Sequence, residues 1–484
     1  MKITGLLLGC LLSFTAFAQS SLTTKQVQQD YQIFKNILQQ GHPGLYAYTS
    51  KQKWDSIFQH FESEEIKSLK TSQGLFKSLN GLANHIKDGH FRVLYPTMTK
   101  APPMFPVWIK IIGGKIYSDT DDFGIPVGTE IISINDVGYQ ELLQRLMKYT
   151  PSDGYNLTKK YRQIEDEFGI LLYYEFGYQT HFQVSYQAPN QAVKTKEIES
   201  QSFESIGQRF AQRNSLFREY RHLSTKYKPK NSRLPYVYFF EKLKTAVLTV
   251  NSFGINPKAF KSRLIGLLKQ VKKKKTKNLI IDVRQNDGGF RANAITLFSY
   301  ISSIPFKQRV SESFVTQKLP ELQHVFHTLS SYPKLVKEYF KSAKKQGNRW
   351  VLTMDRAEPM MRPQKKRFKG KVYVLIGGTT FSAGVAFALN ARNDGKIQLI
   401  GEETGGGYYF HIGQYPVVYK LPNSKILVRM SLVRVNKYVK DNKVPKGRGV
   451  LPHYKIELTL QDLIRSQDSQ LNFILRKIKE QKQK

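Results

Sequence analysis

One cysteine, Cys10, occurs in the 484 residues. It lies in the apolar N-terminal run, so cleavage beyond it would leave a chain with no disulfide, no thiol nucleophile and no cysteine metal site. Acidic residues are scarce too: 37 Asp and Glu face 75 Lys and Arg, a formal charge of +38. That excess favours anionic surfaces, acidic polymers or acidic peptides as neighbours. It is spread along the chain, and its one dense run, Lys272 to Lys275, reads as a solvated helix end. No nucleic-acid partner is therefore expected. Beyond the N-terminus no segment approaches the roughly 20 apolar residues of a membrane helix, which excludes an integral helical span. Repeats and long low-complexity tracts are absent as well. What is present, 40% hydrophobic and 12% aromatic residues, suits a globular chain of more than one folded unit.

The opening "MKITGLLLGCLLSFTAFAQSS" has one lysine, an apolar run from Ile3 to Phe17, and Ala16 and Ala18 spaced as a cleavage site. It reads as a signal peptide over 1–18, and the mature chain is expected to be exported, periplasmic or extracellular. Leu7-Leu8-Gly9-Cys10 also looks like a lipobox, but the apolar run before Cys10 is short and continues past it, so lipid anchoring is the weaker reading.

Apolar periodicity divides the remainder. Val27, Tyr31, Phe34 and Leu38 share one helical face, and Leu75, Leu79, Leu82 and Ile86 share another that halts at Asp88-Gly89; residues 19–100 read as an N-terminal helical cap. Residues 101–190 read as a small β-rich module around the strand Ile131 to Ile134, the turn Asn135-Asp136 and the run "FQVSYQ". A basic, polar stretch, 191–233, reads as a linker. From 234 to 484 apolar strands such as "NLIIDV" and "VYVLIG" alternate with helical patterns, the signature of an α/β core. Ile304 to Pro363 reads as a mostly helical insertion.

Two motifs carry chemistry. "IDVRQNDGG" ends a buried strand in a turn whose glycines can bring backbone amides close to a ligand, although an ordinary strand-to-helix turn looks the same. "GGTTFSAG" sets Ser382 at a helix mouth, where unpaired N–H groups can hold an oxyanion. Serine is equally a preferred N-cap, and Thr379 or Thr380 could play a similar part.

"LIIDVRQNDGG" followed about ninety residues later by "GGTTFSAG" and then "GEETGGG" resembles the S41 family of serine peptidases, which includes the C-terminal-processing proteases and the tricorn-like core. The resemblance implies a ClpP/crotonase-like catalytic core carrying a PDZ-like module, matched here by the region around Ile125 to Leu146. It implies Ser382 as nucleophile and the amides of Gly288, or Gly289, and Ala383 as oxyanion donors. Gly289, His42 and Gly378 are expected to border the bound peptide. "GRGVLPHYKIELT" resembles the family's closing segment, with His453 where an aspartate is usual. The lysine of tail-specific Ser-Lys dyads is replaced by Gly407. A serine needs a proton acceptor, and histidine suits neutral pH; "IKDGHFRVLYP" resembles the tricorn-like histidine motif and implies His90 as base. Glu402 or Asp441 are the candidates to orient it, alongside a hydroxyl or a carbonyl. His324 and His327 read as surface residues. The expectation is an exported serine endopeptidase acting on peptides or proteins, with no metal or nucleotide cofactor; a silent peptide-binding scaffold of the same fold is the alternative.

Overall fold

The computed structural model describes residues 21–96, 101–328, 342–354 and 358–483. The signal-peptide reading and Cys10 lie outside the described residues.

Three sheets organise the chain. The first has six strands in the order Tyr454–Lys455, Gln398–Gly401, Lys371–Ile376, Asn278–Asp282, Thr245–Thr249 and Tyr236–Phe240, parallel except for the last pair. Its central strands are apolar on both faces because helices cover both. Pro257–Lys273, Arg291–Ser299 and Ala383–Asp394 supply one buried layer with Phe260, Leu297 and Phe387, while Ser469–Gln483 covers the other with Leu471 and Ile474. Lys272 to Lys275 end the first of these helices in solvent, as expected.

The second sheet corrects the reading of Ile304 to Pro363 as helical. Its described residues include the strands Arg309–Phe314, Val325–Thr328, Lys344–Gln346 and Arg349–Thr353. They join the long hairpin Phe410–Lys420 and Leu427–Lys437 in a seven-stranded sheet. Runs such as "RWVLT" are rich in β-branched and aromatic residues, and cross-strand packing overrides a helical pattern there. The seventh strand, Arg92–Leu94, comes from the N-terminal region and pairs with Leu427–Lys437, Arg92 opposite Arg429.

The third sheet is the β-rich module: Ile109–Ile112, Lys115–Ser118, Glu130–Ile134, His181–Gln187 and Lys194–Glu199, with Val137–Gly138 paired to Glu130–Ile134. The turn at Asn135-Asp136 has positive φ at both residues, the conformation a two-residue hairpin demands. The module also contains a 19-residue helix, Thr158–Phe176, that the strand reading missed. Lys194–Glu199 carries the sheet past residue 190 into the stretch read as a linker. Farther along it Arg213 is buried, its guanidinium donating to Asp119 and Asp166 at 2.8 Å each, so this segment is docked.

The N-terminal helices are not a separate cap. Thr24–Gly41 starts on a reciprocal capping box between Thr23 and Gln26. Its buried Asp30 accepts hydrogen bonds from the N–H groups of Asn423 and Ser424 at the tip of the long hairpin. Phe34, Leu79, Ile131 and Val428 belong to one continuous core. That core brings the loop after Ser72–Asn84, which bears His90, against the C-terminal half of the chain.

Candidate active site

Register places the two motifs together. Asn278–Asp282 and Lys371–Ile376 are adjacent and parallel, Asp282 opposite Leu375, so their C-terminal turns emerge side by side, where open α/β sheets bind ligands. Thr380 ties the turns: its hydroxyl donates to the Val283 carbonyl at 2.8 Å and accepts from the Gly377 N–H at 3.1 Å. Phe381 N–H donates to the Asn286 carbonyl at 2.9 Å.

Ser382 follows with φ 52° and ψ −115°. A non-glycine residue held there costs about 1–3 kcal/mol and persists only where its surroundings enforce it. It occupies the N-cap position of Ala383–Asp394, yet its hydroxyl makes no capping bond. The capping reading of this serine therefore fails, and the turn has the strained strand-to-helix form that exposes a nucleophile. Gly288, at φ 110°, lies against it: a Cβ on Gly288 would sit 2.7 Å from the Ser382 Cβ. The Gly288 N–H is already donated to Asn286 Oδ1 at 2.9 Å. Among the described residues the amides of Gly289 and Ala383 have no hydrogen-bond partner. The free amide of the glycine turn is thus Gly289, not Gly288. A cavity of about 440 Å³ opens at Gly288, Gly289 and Thr379.

His90 reaches the same place from the other side. Its ring packs on Phe381, the neighbour of Ser382, with centroids 4.4 Å apart, and lies 5.8 Å from the His411 ring. Both ring nitrogens are buried and have no hydrogen-bond partner among the described residues. Gly413 passes over the ring, where a Cβ would lie 2.6 Å from Nε2. Asp88 Oδ1 accepts the His90 backbone N–H at 2.9 Å and stands 3.8 Å from Nδ1, an ion-pair distance rather than a hydrogen bond.

Neither expected orienter touches this ring. Glu402 faces Arg162 at 3.7 Å and accepts the Gly378 N–H. Asp441 is bound by Arg392 at 3.2 Å and by the Lys443 N–H. The acid beside His90 is Asp88, two residues earlier. Burial acts to raise its pKa, but the hydrogen bond from His42 and attraction to the His42 and His90 rings outweigh it and hold the carboxyl well below the usual range. His42 is buried; its Nδ1 accepts the Gly44 N–H at 3.2 Å, so Nε2 carries the proton toward Asp88 Oδ2 at 3.1 Å. It braces Asp88. Gly378 also supports structure, since a Cβ there would meet the Thr158 carbonyl at 2.5 Å.

The sequence reading missed Asp153 and Lys437. Asp153 accepts the Gly89 N–H at 2.7 Å on one oxygen and the Gly407 N–H at 2.8 Å on the other. Burial and the charge of Asp88 raise its pKa. Lys437, 5% exposed, donates to the Gly407 carbonyl at 2.6 Å. Burial pulls its ammonium down to about 8 against the attraction of Asp153. A cation from another strand thus meets the glycine that stands where the dyad lysine was expected. Lys159 Nζ lies 4.9 Å from the centre of the Phe381 ring. Asp88, His90 and Asp153 bring ligand-type atoms within 4.8 Å of one another. Their carboxylate oxygens are taken up by backbone amides and His42, an arrangement that holds a histidine.

Residues 244–456, a little under half of the chain, match the model of peptidase family S41. No curated protein matches the chain. Among solved structures, a serine-to-alanine mutant of CPAF has a TM-score of 0.67 at 13% identity, covering 94% of this chain and 96% of its own. Mature CPAF complexed with lactacystin has a TM-score of 0.61 at 15% identity, covering 94% and 98%. Mature CPAF alone has 0.62 at 14%, covering 94% and 97%. These likenesses establish a shared mixed α/β fold over nearly the full length. Among the described residues no helix is long and apolar enough to cross a membrane.

Proposed function

We propose that this protein is a serine endopeptidase of the S41 kind that cleaves peptide bonds through an acyl-enzyme on Ser382. The observation that carries the reading is Ser382 itself, strained at φ 52° with an uncapped hydroxyl at a helix N-terminus. Ser382 Oγ attacks the scissile carbonyl, His90 accepts its proton, and the developing oxyanion is held by the amides of Ala383 and Gly289. His90 then protonates the leaving amine, and water releases the acyl group. Asp88 is the positioning residue, opposing the imidazolium with a carboxylate that burial alone would neutralise. His90 and Ser382 flank Phe381 without a hydrogen bond between them; such contacts tighten when substrate seats. The core is read as ClpP/crotonase-like and the β-rich module as PDZ-like, taking peptides by strand addition. Residues 1–18 are read as an export signal, tested by N-terminal sequencing of secreted protein for a start at Gln19.

A fluorophosphonate probe tests the chemistry. Labelling of the wild type that is lost in Ser382→Ala is expected. The free His90 nitrogens and the Gly413 backbone over them favour a second reading, a silent peptide-binding scaffold. Folded wild type that takes no label, with or without peptide, would establish it.

A further inference from the structure

Two arginines near His90 have no acidic partner among the described residues. Arg434 lies on Leu427–Lys437 and Arg349 on Arg349–Thr353, with Arg309–Phe314 between these strands. Arg434 stands opposite Ser313, and Arg349 comes one residue before the Trp350–Phe314 pair. Side chains two apart share a sheet face, so both arginines fall on one face. Each is half-buried. Arg349 Nη1 donates to the Pro43 carbonyl at 2.5 Å, and Arg434 Nε to Asn436 Oδ1 at 3.1 Å. Among the described residues their other guanidinium donors have no protein partner and no carboxylate pairs with either. Arg434 is pulled down to about 10 by burial and then by the charge of Arg349. Two guanidiniums left together in this way are destabilised until an anion joins them.

The pair is close to the chemistry. Arg434 lies 3.7 Å over the Phe410 ring, which stacks on Tyr48 at 5.5 Å. Phe410 precedes His411, the ring 5.8 Å from His90. Arg434 also sits opposite the bulge between His411 and Gln414 that carries Gly413 over His90. Tyr48, Phe410 and Arg434 are all partly open to solvent.

We infer that Arg349 and Arg434 form a carboxylate-binding subsite on the His90 side of the cleft, selecting peptides with an acidic side chain or a free C-terminus close to the bond cut. The inference rests on the peptidase reading for its place in catalysis, but binding is separable from turnover. A guanidinium presents paired N–H donors matched to a carboxylate, and a chain of +38 charge attracts acidic peptides in the first place.

The test uses the full chain as Ser382→Ala, so that binding is read without cleavage. Fluorescein-labelled peptides containing Glu, or Gln in its place, each with a free or an amidated C-terminus, are titrated by anisotropy at about 0.15 M salt, where distant charges are screened. Arg349→Gln with Arg434→Gln is expected to weaken the carboxylate-bearing peptides by about 10-fold, the scale of a lost charge-assisted hydrogen bond. Lys272→Gln with Lys273→Gln removes the same charge from an exposed helix end and is expected to change affinity less than about 2-fold, as distant surface charges do. Preference for Glu over Gln identifies the side chain as the source, and loss on amidation identifies the C-terminus. Equal weakening by the two double variants, or wild-type affinity indifferent to every carboxylate, would overturn the subsite. Arg349→Lys with Arg434→Lys keeps the charge without the fork, is expected to recover part of the affinity, and provides the readout if the glutamine pair fails to fold. Loss of fluorophosphonate labelling in otherwise wild-type protein would instead count against the peptidase reading.

Discussion

The proposed nucleophile side, around Ser382, and the proposed base side, around His90, are built in opposite ways. Ser382, Ala383 and the glycine turn come from neighbouring strands of one parallel sheet, and strand register alone sets them together. His90 is held by groups from four segments: Asp88 beside it, His42 on the first loop, Asp153 at the entrance to Thr158–Phe176, and Lys437 at the end of a long strand through Gly407. Local backbone strain therefore sets Ser382, and long-range charge sets His90. Substitutions on the first side should act on chemistry with little change in pH dependence, whereas those on the second should couple activity to ionisation.

The largest effect is expected at the reacting groups. His90→Ala should lower turnover about 10³-fold or more while the melting temperature stays near wild type, since base removal costs on this scale. Retained activity, measured on any peptide that the wild type cleaves, would remove His90 from the mechanism. Asp88→Asn comes next, at about 10–100-fold in kcat with KM little changed, because a positioning group acts through the histidine. A raised KM with kcat unchanged would make Asp88 merely structural.

Two glycines sharpen the comparison. Gly288→Ala meets the Ser382 Cβ at 2.7 Å from a φ of 110°, so it should abolish fluorophosphonate labelling and, through overpacking, cost about 1–3 kcal/mol. Gly407→Ala would place a Cβ 2.5 Å from the Phe410 carbonyl, and a comparable loss in urea unfolding is expected. The base side should lose activity along with stability because Gly407 links Asp153 to Lys437. Wild-type stability in Gly407→Ala would show that this loop yields freely.

The contrast also explains what the chain disclosed before its structure. "NLIIDV", "VYVLIG" and the serine turn are contiguous, and the strands, the place of Ser382 at a helix mouth and the glycine turn were all readable from them. The choice of Gly289 over Gly288 was not, because the Asn286 side chain decides it by occupying one amide. Asp153 was hidden for a different reason. An isolated aspartate in "TPSDGYN" has the composition of a turn, and only tertiary packing shows its oxygens spanning Gly89 and Gly407. Glu402 attracted notice by following the motif strand, yet the strand carries it to Arg162. Arg309–Phe314 was misread because one pairing partner, Leu427–Lys437, lies far along the chain, and Arg349–Thr353 pairs in turn with Arg309–Phe314.

The smallest effect is in stability, and it isolates the base side. Lys437 is pulled down to about 8 in the folded protein from an ordinary value of 10.5. Below pH 8 the folded and unfolded chains both carry this proton, and the folded state bears the full cost of a buried ammonium. Between about 8 and 10.5 the folded protein releases the proton while the unfolded chain keeps it, so the lysine's contribution to stability rises with pH. Lys437→Met has no such proton to release. The melting temperature of wild type minus that of Lys437→Met should therefore become more positive from about pH 7.5 to 9.5, by an amount equivalent to about 1–2 kcal/mol. The same scan of Thr379→Ala, on the nucleophile side, should run parallel to wild type. A flat difference for Lys437→Met would mean that Asp153 keeps the ammonium charged throughout, and the two acids beside His90 would then be balanced by a permanent cation.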